Sequence, residues 1–276
     1  MNARTDWNPP ALLDSPILAP LHPLIAQLHL RQFPNLNDLN ELSGKIQPQI
    51  HVQRGYALRF VPQEPGRLGF ESQYEPRCYL TGEVQTRPEN WHDLFNAMVW
   101  LTYPKAKAAI NFRHFQALNE KPESGKSQRG KVRDMATLLD ESGIIVVSSN
   151  VELIGLLQTF QWKELFWHRR EQARKEMGFY VFGHGLYEKA LRPYIGMTGQ
   201  GLIIQTTTDF FTSTMQEQVS EIDSSLAKYM VNPENCLSPR ELNPIPLLGV
   251  PGWSEENSKE TYYENIAYFR PGRREA

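Results

Sequence analysis

Hydrophobic positions along the chain follow two periods, and the 3.6-residue period is clearest around residue 90. Trp91, Leu94, Phe95, Met98 and Leu101 recur at three- and four-residue spacings and predict a helix with one apolar stripe. Glu89, His92, Asp93 and Asn96 fall at the same spacings on its other side. Thr86-Arg87-Pro88-Glu89 has the Thr-x-x-Glu form of a capping box, with proline where a first turn tolerates it. Pro104 separates this helix from a second, running from about Lys105 to Leu118, on which Lys107, Asn111 and His114 share a face. So short a connection predicts an antiparallel or sharply angled pair whose polar faces look into one cleft.

Before this pair the pattern is broken by proline. Pro9, Pro10, Pro16, Pro20, Pro23 and Pro34 leave room for a short helix around Leu24–Leu28 and another over Leu36–Leu42, with the rest as extended wrap. Residues 55–61 alternate as a strand ending at Pro62; Tyr74 to Tyr79 reads as extended, with a turn at Thr81-Gly82. Asn119 to Lys131 reads as a mobile surface loop. In Thr137 to Val147 two apolar runs flank Asp140-Glu141-Ser142-Gly143, which predicts a hairpin with Gly143 in the left-handed region. Asn150 caps a helix to Leu157, and another helix covers about Gln161 to Met177. Phe179–Phe182 is a strand that breaks at Gly183-His184-Gly185 into a helix over Leu186–Leu191. Leu202–Thr206 predicts a strand and Thr208–Met230 a long helix. The tail from Pro233 carries Trp253, Tyr262, Tyr263, Tyr268 and Phe269, the composition of a packed strap.

Composition narrows the classes. A chain of 276 residues with 40% hydrophobic and 22% charged positions is a globular protein large enough for a sizeable core. A formal charge of -2 exerts no global pull on nucleic acid or membrane. No apolar run approaches the roughly 20 residues that span a bilayer, and the first ten residues lack the apolar region of an export signal. Two cysteines, Cys78 and Cys236, make neither a disulfide framework nor a zinc knuckle, so the expected home is the cytoplasm.

Chemistry-bearing residues cluster in two places. His92-Asp93 is one ingredient of metal-dependent phosphohydrolases, whose remaining ligands would have to come from His51, His114, Asp134 and Asp140. Gly183-His184-Gly185-Leu186-Tyr187-Glu188 sets an imidazole and a carboxylate four apart on one helix face, a spacing that suits a shared metal or a carboxylate orienting a base. The glycines would let a substrate approach the backbone, or simply make a tight turn whose histidine satisfies a buried carbonyl. Arg133-Asp134 reads as an ion pair or an anion clamp, the basic run Lys121, Lys126, Arg129, Lys131 and Arg133 as a solvated loop in preference to a phosphate contact, and Asp140-Glu141 as turn chemistry. No nucleophile elbow, Cys-x-x-Cys or P-loop is present, and Gly196–Gly201 lacks dinucleotide spacing.

The residues Phe60-Val61-Pro62-Gln63, Tyr74-Glu75 and Thr86 to Ala97, with Lys107, Asn111, His114, Arg133-Asp134 and Asp140-Glu141-x-Gly143, form a pattern. It continues through Phe182-Gly183-His184, Leu247 to Trp253 and Tyr268 to Pro271. It resembles the bacterial family called domain of unknown function 3025, from about residue 55 onward. Ser142 and Gly185 depart from the pattern, where Asn and Ala stand. The resemblance implies one cooperative domain and no particular activity.

Together these features predict a single α+β domain, residues 1–276, with helices packed on a small mixed or antiparallel sheet. Residues 1–54 form an N-terminal wrap, 55–232 the core and 233–276 a C-terminal strap. The expected function is hydrolysis of a small anionic substrate. His92, Asp93, His184 and Glu188 would be catalytic, with Glu188 orienting the His184 ring. Asn96, Lys107, Asn111, His114, Arg133 and Asp134 would bind the substrate. A divalent metal ion is the cofactor such a set could take, though the set does not require one. The alternative is a non-catalytic binding or scaffolding module whose polar residues form an internal hydrogen-bond network.

Overall fold

Gly143–Ser148 (GIIVVS) is buried at every position and forms the centre of the protein's larger sheet in a computed structural model that describes residues 6–29, 31–66, 69–119 and 126–272. A strand so uniformly apolar has to be covered on both faces, and the chain is arranged around that need. In order, the N-terminal segment forms α1 (Pro9–Leu13), a 3-10 turn (Pro16–Leu21), α2 (His22–Ile25) and α3 (Leu36–Lys45). Then follow β1 (Arg59–Pro62), α4 (Tyr74–Thr81), β2 (Glu83–Thr86), α5 (Trp91–Thr102), α6 (Pro104–Asn119) and α7 (Lys126–Ser142). The central strand is β3; beyond it lie α8 (Val151–Gln158), a π-helical turn (Glu164–His168), α9 (Arg170–Glu176), β4 (Met177–Val181) and α10 (His184–Ala190). The chain continues with β5 (Thr198–Gln205), α11 (Met215–Val231) and β6 (Asn243–Pro246).

The sheet order is β4-β3-β5-β6. β3 pairs antiparallel with β4 (Ile144 opposite Val181) and parallel with β5 (Gly143 opposite Gln200), and β6 closes one edge antiparallel to β5. β1 and β2 form a separate parallel pair. This is the expected α+β architecture with a mixed sheet. One apolar core runs from Leu12 to Phe269. The tail packs as a strap: the Tyr268 hydroxyl donates to the Met197 carbonyl (2.7 Å) and accepts from the Leu248 amide (2.9 Å).

Several local expectations are corrected. Tyr74–Thr81 is a helix, ended by Gly82 in the left-handed region at φ 77°. The capping box at Thr86 does not form: Thr86 ends β2, and the cap of α5 is Asn90, whose side chain accepts from the Asp93 amide. The expected hairpin over Thr137–Val147 is instead the end of α7 running straight into β3. Met135, Ala136 and Leu139 are buried at helical spacing, so Leu138-Leu139 belongs to a helix stripe and not to a strand. Of the expected loop over Asn119–Lys131, residues 120–125 lie outside the described residues, and the chain is helical from Lys126. The N-terminal wrap is largely helical, because Pro9, Pro10, Pro16 and Pro23 sit in first turns where no amide bond is lost. The helix expected over Gln161–Met177 is divided between the π-helical turn and α9, and β4 begins at Met177.

Candidate active site

Three chain segments meet at the mouth of the sheet because glycine lets them. β4 delivers the chain to α10, whose first residue is His184, and α7 delivers Asp140 and Glu141 to the start of β3. Gly183 donates its amide to the Gly143 carbonyl (2.8 Å). A Cβ on Gly183 would lie 2.4 Å from the Gly143 nitrogen, and one on Gly185 would lie 2.8 Å and 2.9 Å from Glu141 oxygens. Glycine on both sides of His184 therefore serves the approach of the α7–β3 junction, and that approach carries Glu141 to His184. α5 arrives from a third direction with His92 in its first turn, fixed by the Asn90 cap.

At the junction the two imidazoles meet, with His92 Nε2 and His184 Nε2 3.0 Å apart. A Glu141 carboxylate oxygen is 3.8 Å from the first and 3.6 Å from the second. Both outer ring nitrogens face carboxylates as well: His92 Nδ1 is 3.1 Å from Glu188 Oε2, and His184 Nδ1 is 3.8 Å from Asp140 Oδ2. The cluster is graded from inside to outside. The His184 side chain is 6% exposed, against 31% for His92, 43% for Glu141 and 47% for Glu188. Burial pushes the His184 ring down to about 4, so it is neutral at physiological pH. Burial raises the Glu141 carboxyl, an effect that the His92 ring opposes.

Behind His184 lies a closed polar network. Lys107 Nζ donates to Asp140 Oδ1 (2.5 Å) and Asn96 Oδ1 (2.9 Å) and sits over the Trp100 ring. Asn96 donates to the Tyr74 hydroxyl (2.7 Å), as the Trp100 indole does at 3.4 Å. Burial is the largest single influence on the Asp140 carboxyl and raises it, but the Lys107 charge and hydrogen bond, with the His184 and His114 rings, together outweigh it and hold the group below its ordinary value. Asn111, buried one turn further along α6, donates to Glu75.

The sequence-derived assignments divide accordingly. His92 and His184 converge as expected, but Glu188 backs the His92 ring and not the His184 ring. Asp93 points away: it takes hydrogen bonds from the Arg87 amide and guanidinium, which outweigh burial and lower its carboxyl. Asn96, Lys107, Asn111 and His114 do share one region, yet all four are buried, Asn96 and Lys107 are tied into the network and Asn111 is bonded to Glu75, so they do not line an open cleft. Arg133 and Asp134 are exposed on α7, seven residues before Asp140 and Glu141 and so about 10 Å up the helix. His51 is exposed near β1 and bonded to the Gln49 carbonyl. Glu141 is the member of the cluster that sequence reasoning missed, and Asp140, which the sequence offers only as a remote metal ligand, otherwise reads with it as turn chemistry. The helical spacing of Met135, Ala136 and Leu139 was the signal that would have moved them from a turn to a helix end. Two cavities, of about 430 and 480 Å³, are lined by Phe160, Trp162 and Tyr268 and by Phe33, Arg87 and Leu94. Neither is lined by His92, His184 or Glu141.

A family model described as "Protein of unknown function (DUF3025)" matches residues 58–273. The chain belongs to this family. The DUF3025 match takes in every residue of the cluster and of the network behind it, and leaves α1, α2 and α3 outside. No curated protein and no solved structure matches the chain. Among the described residues no helix is long and apolar enough to cross a membrane.

Proposed function

We propose that this DUF3025 protein is a hydrolase whose catalytic groups are His92, His184 and Glu141, acting at the solvent-facing rim on a small anionic substrate. The observation that supports it is the 3.0 Å approach of two imidazoles from separate helices, one buried and one open, beside a half-exposed carboxylate. Titratable groups held at a rim in different environments are what acid–base chemistry on water needs. His184 is kept neutral by burial and offers a lone pair; His92, backed by Glu188, is reachable from solvent and can pass a proton outward. The Asn96–Lys107–Asp140–Tyr74 network has the character expected of a structural element. It favours the non-catalytic alternative for those residues alone, since their hydrogen bonds point inward and to one another.

An anionic substrate needs positive charge at the rim. Lys107 cannot provide it, being buried and neutralised by Asp140, and Arg133 lies too far up α7. We place the protein in the cytoplasm on the strength of its two buried, separate thiols. The test is turnover against a panel of small phosphate esters, carboxylate esters and amides, with added divalent ions, for the wild type and His92→Gln. Loss of roughly 10²–10⁴ in rate in a folded variant is the expected result. Absence of turnover on the whole panel, or an unchanged rate in His92→Gln, would contradict it.

A further inference from the structure

The two histidines present an electrostatic problem. Each Nδ1 faces a carboxylate, Glu188 for His92 and Asp140 for His184. A carboxylate only accepts, so the Glu188 hydrogen bond selects the His92 tautomer with hydrogen on Nδ1; His184 Nδ1 is buried without a hydrogen-bond partner, and the Asp140 charge 3.8 Å away favours hydrogen on it too. Both Nε2 atoms are then bare lone pairs 3.0 Å apart, and the Glu141 oxygen adds another acceptor within 3.8 Å of both. Three acceptors that close repel one another unless a cation lies among them.

The spacing identifies the cation. Donor atoms separated by 3.0, 3.6 and 3.8 Å share a centre about 2.0 Å from each, which is the bond length of zinc to imidazole nitrogen and carboxylate oxygen. Two imidazoles and one carboxylate are the donor set of first-row divalent transition ions, whereas calcium and magnesium take oxygen ligands. Carboxylates behind the outer nitrogens of ligating histidines are the usual support of such a centre. The donors come from α5, α7 and α10, so the fold itself assembles the set, and His92 and Glu141 leave its outer side open.

We propose that His92 Nε2, His184 Nε2 and a Glu141 oxygen bind one divalent transition-metal ion of the zinc or iron(II) type, with its remaining positions open to water and to an anionic oxygen of the substrate. The ion would set positive charge directly between the donors, where Lys189, whose charge also reaches Glu141, does not, and its place deepens the hydrolase proposal while being measurable without any turnover. Glu188 is a positioning residue, acting on the ion through the His92 ring that it orients, and Asp140 acts on the His184 ring through its charge.

The experiment is zinc titration of the chelator-stripped full chain by calorimetry, with the visible absorption of cobalt(II) reporting donor number and geometry. One ion per chain is expected. Affinity should fall by at least about 100-fold in His92→Ala and Glu141→Ala, both at the accessible rim, and about 10-fold in Glu188→Gln. Circular dichroism confirms that these variants fold, and His184→Ala is not needed because the buried site could fail to form. Absence of stoichiometric binding, as for a pair that merely shares a proton, would overturn the proposal. So would equal affinity in wild type, His92→Ala and Glu141→Ala. A bound ion without hydrolysis supports this site and sinks the hydrolase reading; hydrolysis by a chain that binds no ion overturns the site and leaves the hydrolase reading standing.

Discussion

Lys107 is the residue whose chemistry is most changed by its surroundings. It is 2% exposed, and its charge is balanced by Asp140 alone among the acids bonded to it. Removing one partner of a buried pair leaves the other charged and desolvated, which costs about 3–5 kcal/mol, whereas replacing both is far milder. Lys107→Met is therefore expected to lower the urea midpoint steeply, and Lys107→Met/Asp140→Leu to recover most of the loss. Additive losses in the double variant would refute the pairing. The sequence placed Lys107 on the correct helix face with Asn111 and His114. It could not show that the face is buried, because the covering groups, Tyr74, Glu75 and Asp140, come from elements that local periodicity does not connect to α6. For the same reason His92 and His184 could be suspected separately while Glu141 stayed hidden.

At the scale of elements, junctions carry the structure. Gly183 tests the α10–α7 approach: Gly183→Ala would press a methyl group to 2.4 Å from backbone that cannot rotate away. It should cost about 1–3 kcal/mol by denaturant titration, and the residual fold should bind the proposed ion more weakly. Full stability and unchanged affinity would show that the junction is looser than described. A second junction joins α11 to the start of α6, where Asp223 accepts from the Lys105 and Ala106 amides at 3.2 and 2.8 Å. Burial pushes its carboxyl from 3.8 up to about 6 despite those bonds. Between those values the folded chain holds a proton that the unfolded chain has released. The contribution of Asp223 to stability is therefore full below about pH 4 and is lost as pH rises through about 6. Relative to Asp223→Asn, the wild type should lose up to about 3 kcal/mol between pH 4 and 7. Parallel stability curves for the two proteins would contradict this. Helices with an apolar stripe, such as α5 and α11, were legible in the sequence, and α6 by the polar residues that share its face. Junctions were not, since a glycine needed for close approach looks the same as one needed for a turn.

For the whole molecule, the family match and the folded body have different limits. The match starts at residue 58, yet Leu18, Leu21 and Ile25, at 0–1% exposure, lie in the common core. Trp7 packs at a tilt against Trp91, the neighbour of His92, and Phe33 meets the same ring edge-on. A chain cut to residues 58–273 is therefore expected to expose that core and to lack a cooperative melting transition; a sharp transition near the full-length temperature would show the N-terminal segment to be dispensable. The prolines point to an extended wrap here, whereas the segment is largely helical turns packed on the body.

The central claim is that His92 is placed for function and not for stability, and thermal melting of His92→Ala in metal-free buffer tests it most directly. Removing one of three crowded acceptors should leave the melting temperature unchanged or raise it by up to a few degrees, as expected where a site is arranged at the expense of stability. One kcal/mol corresponds to about 2–4 °C in a chain of this size class. A fall of more than about 4 °C in His92→Ala would mean that the imidazole is a structural member of the network, and would contradict the account.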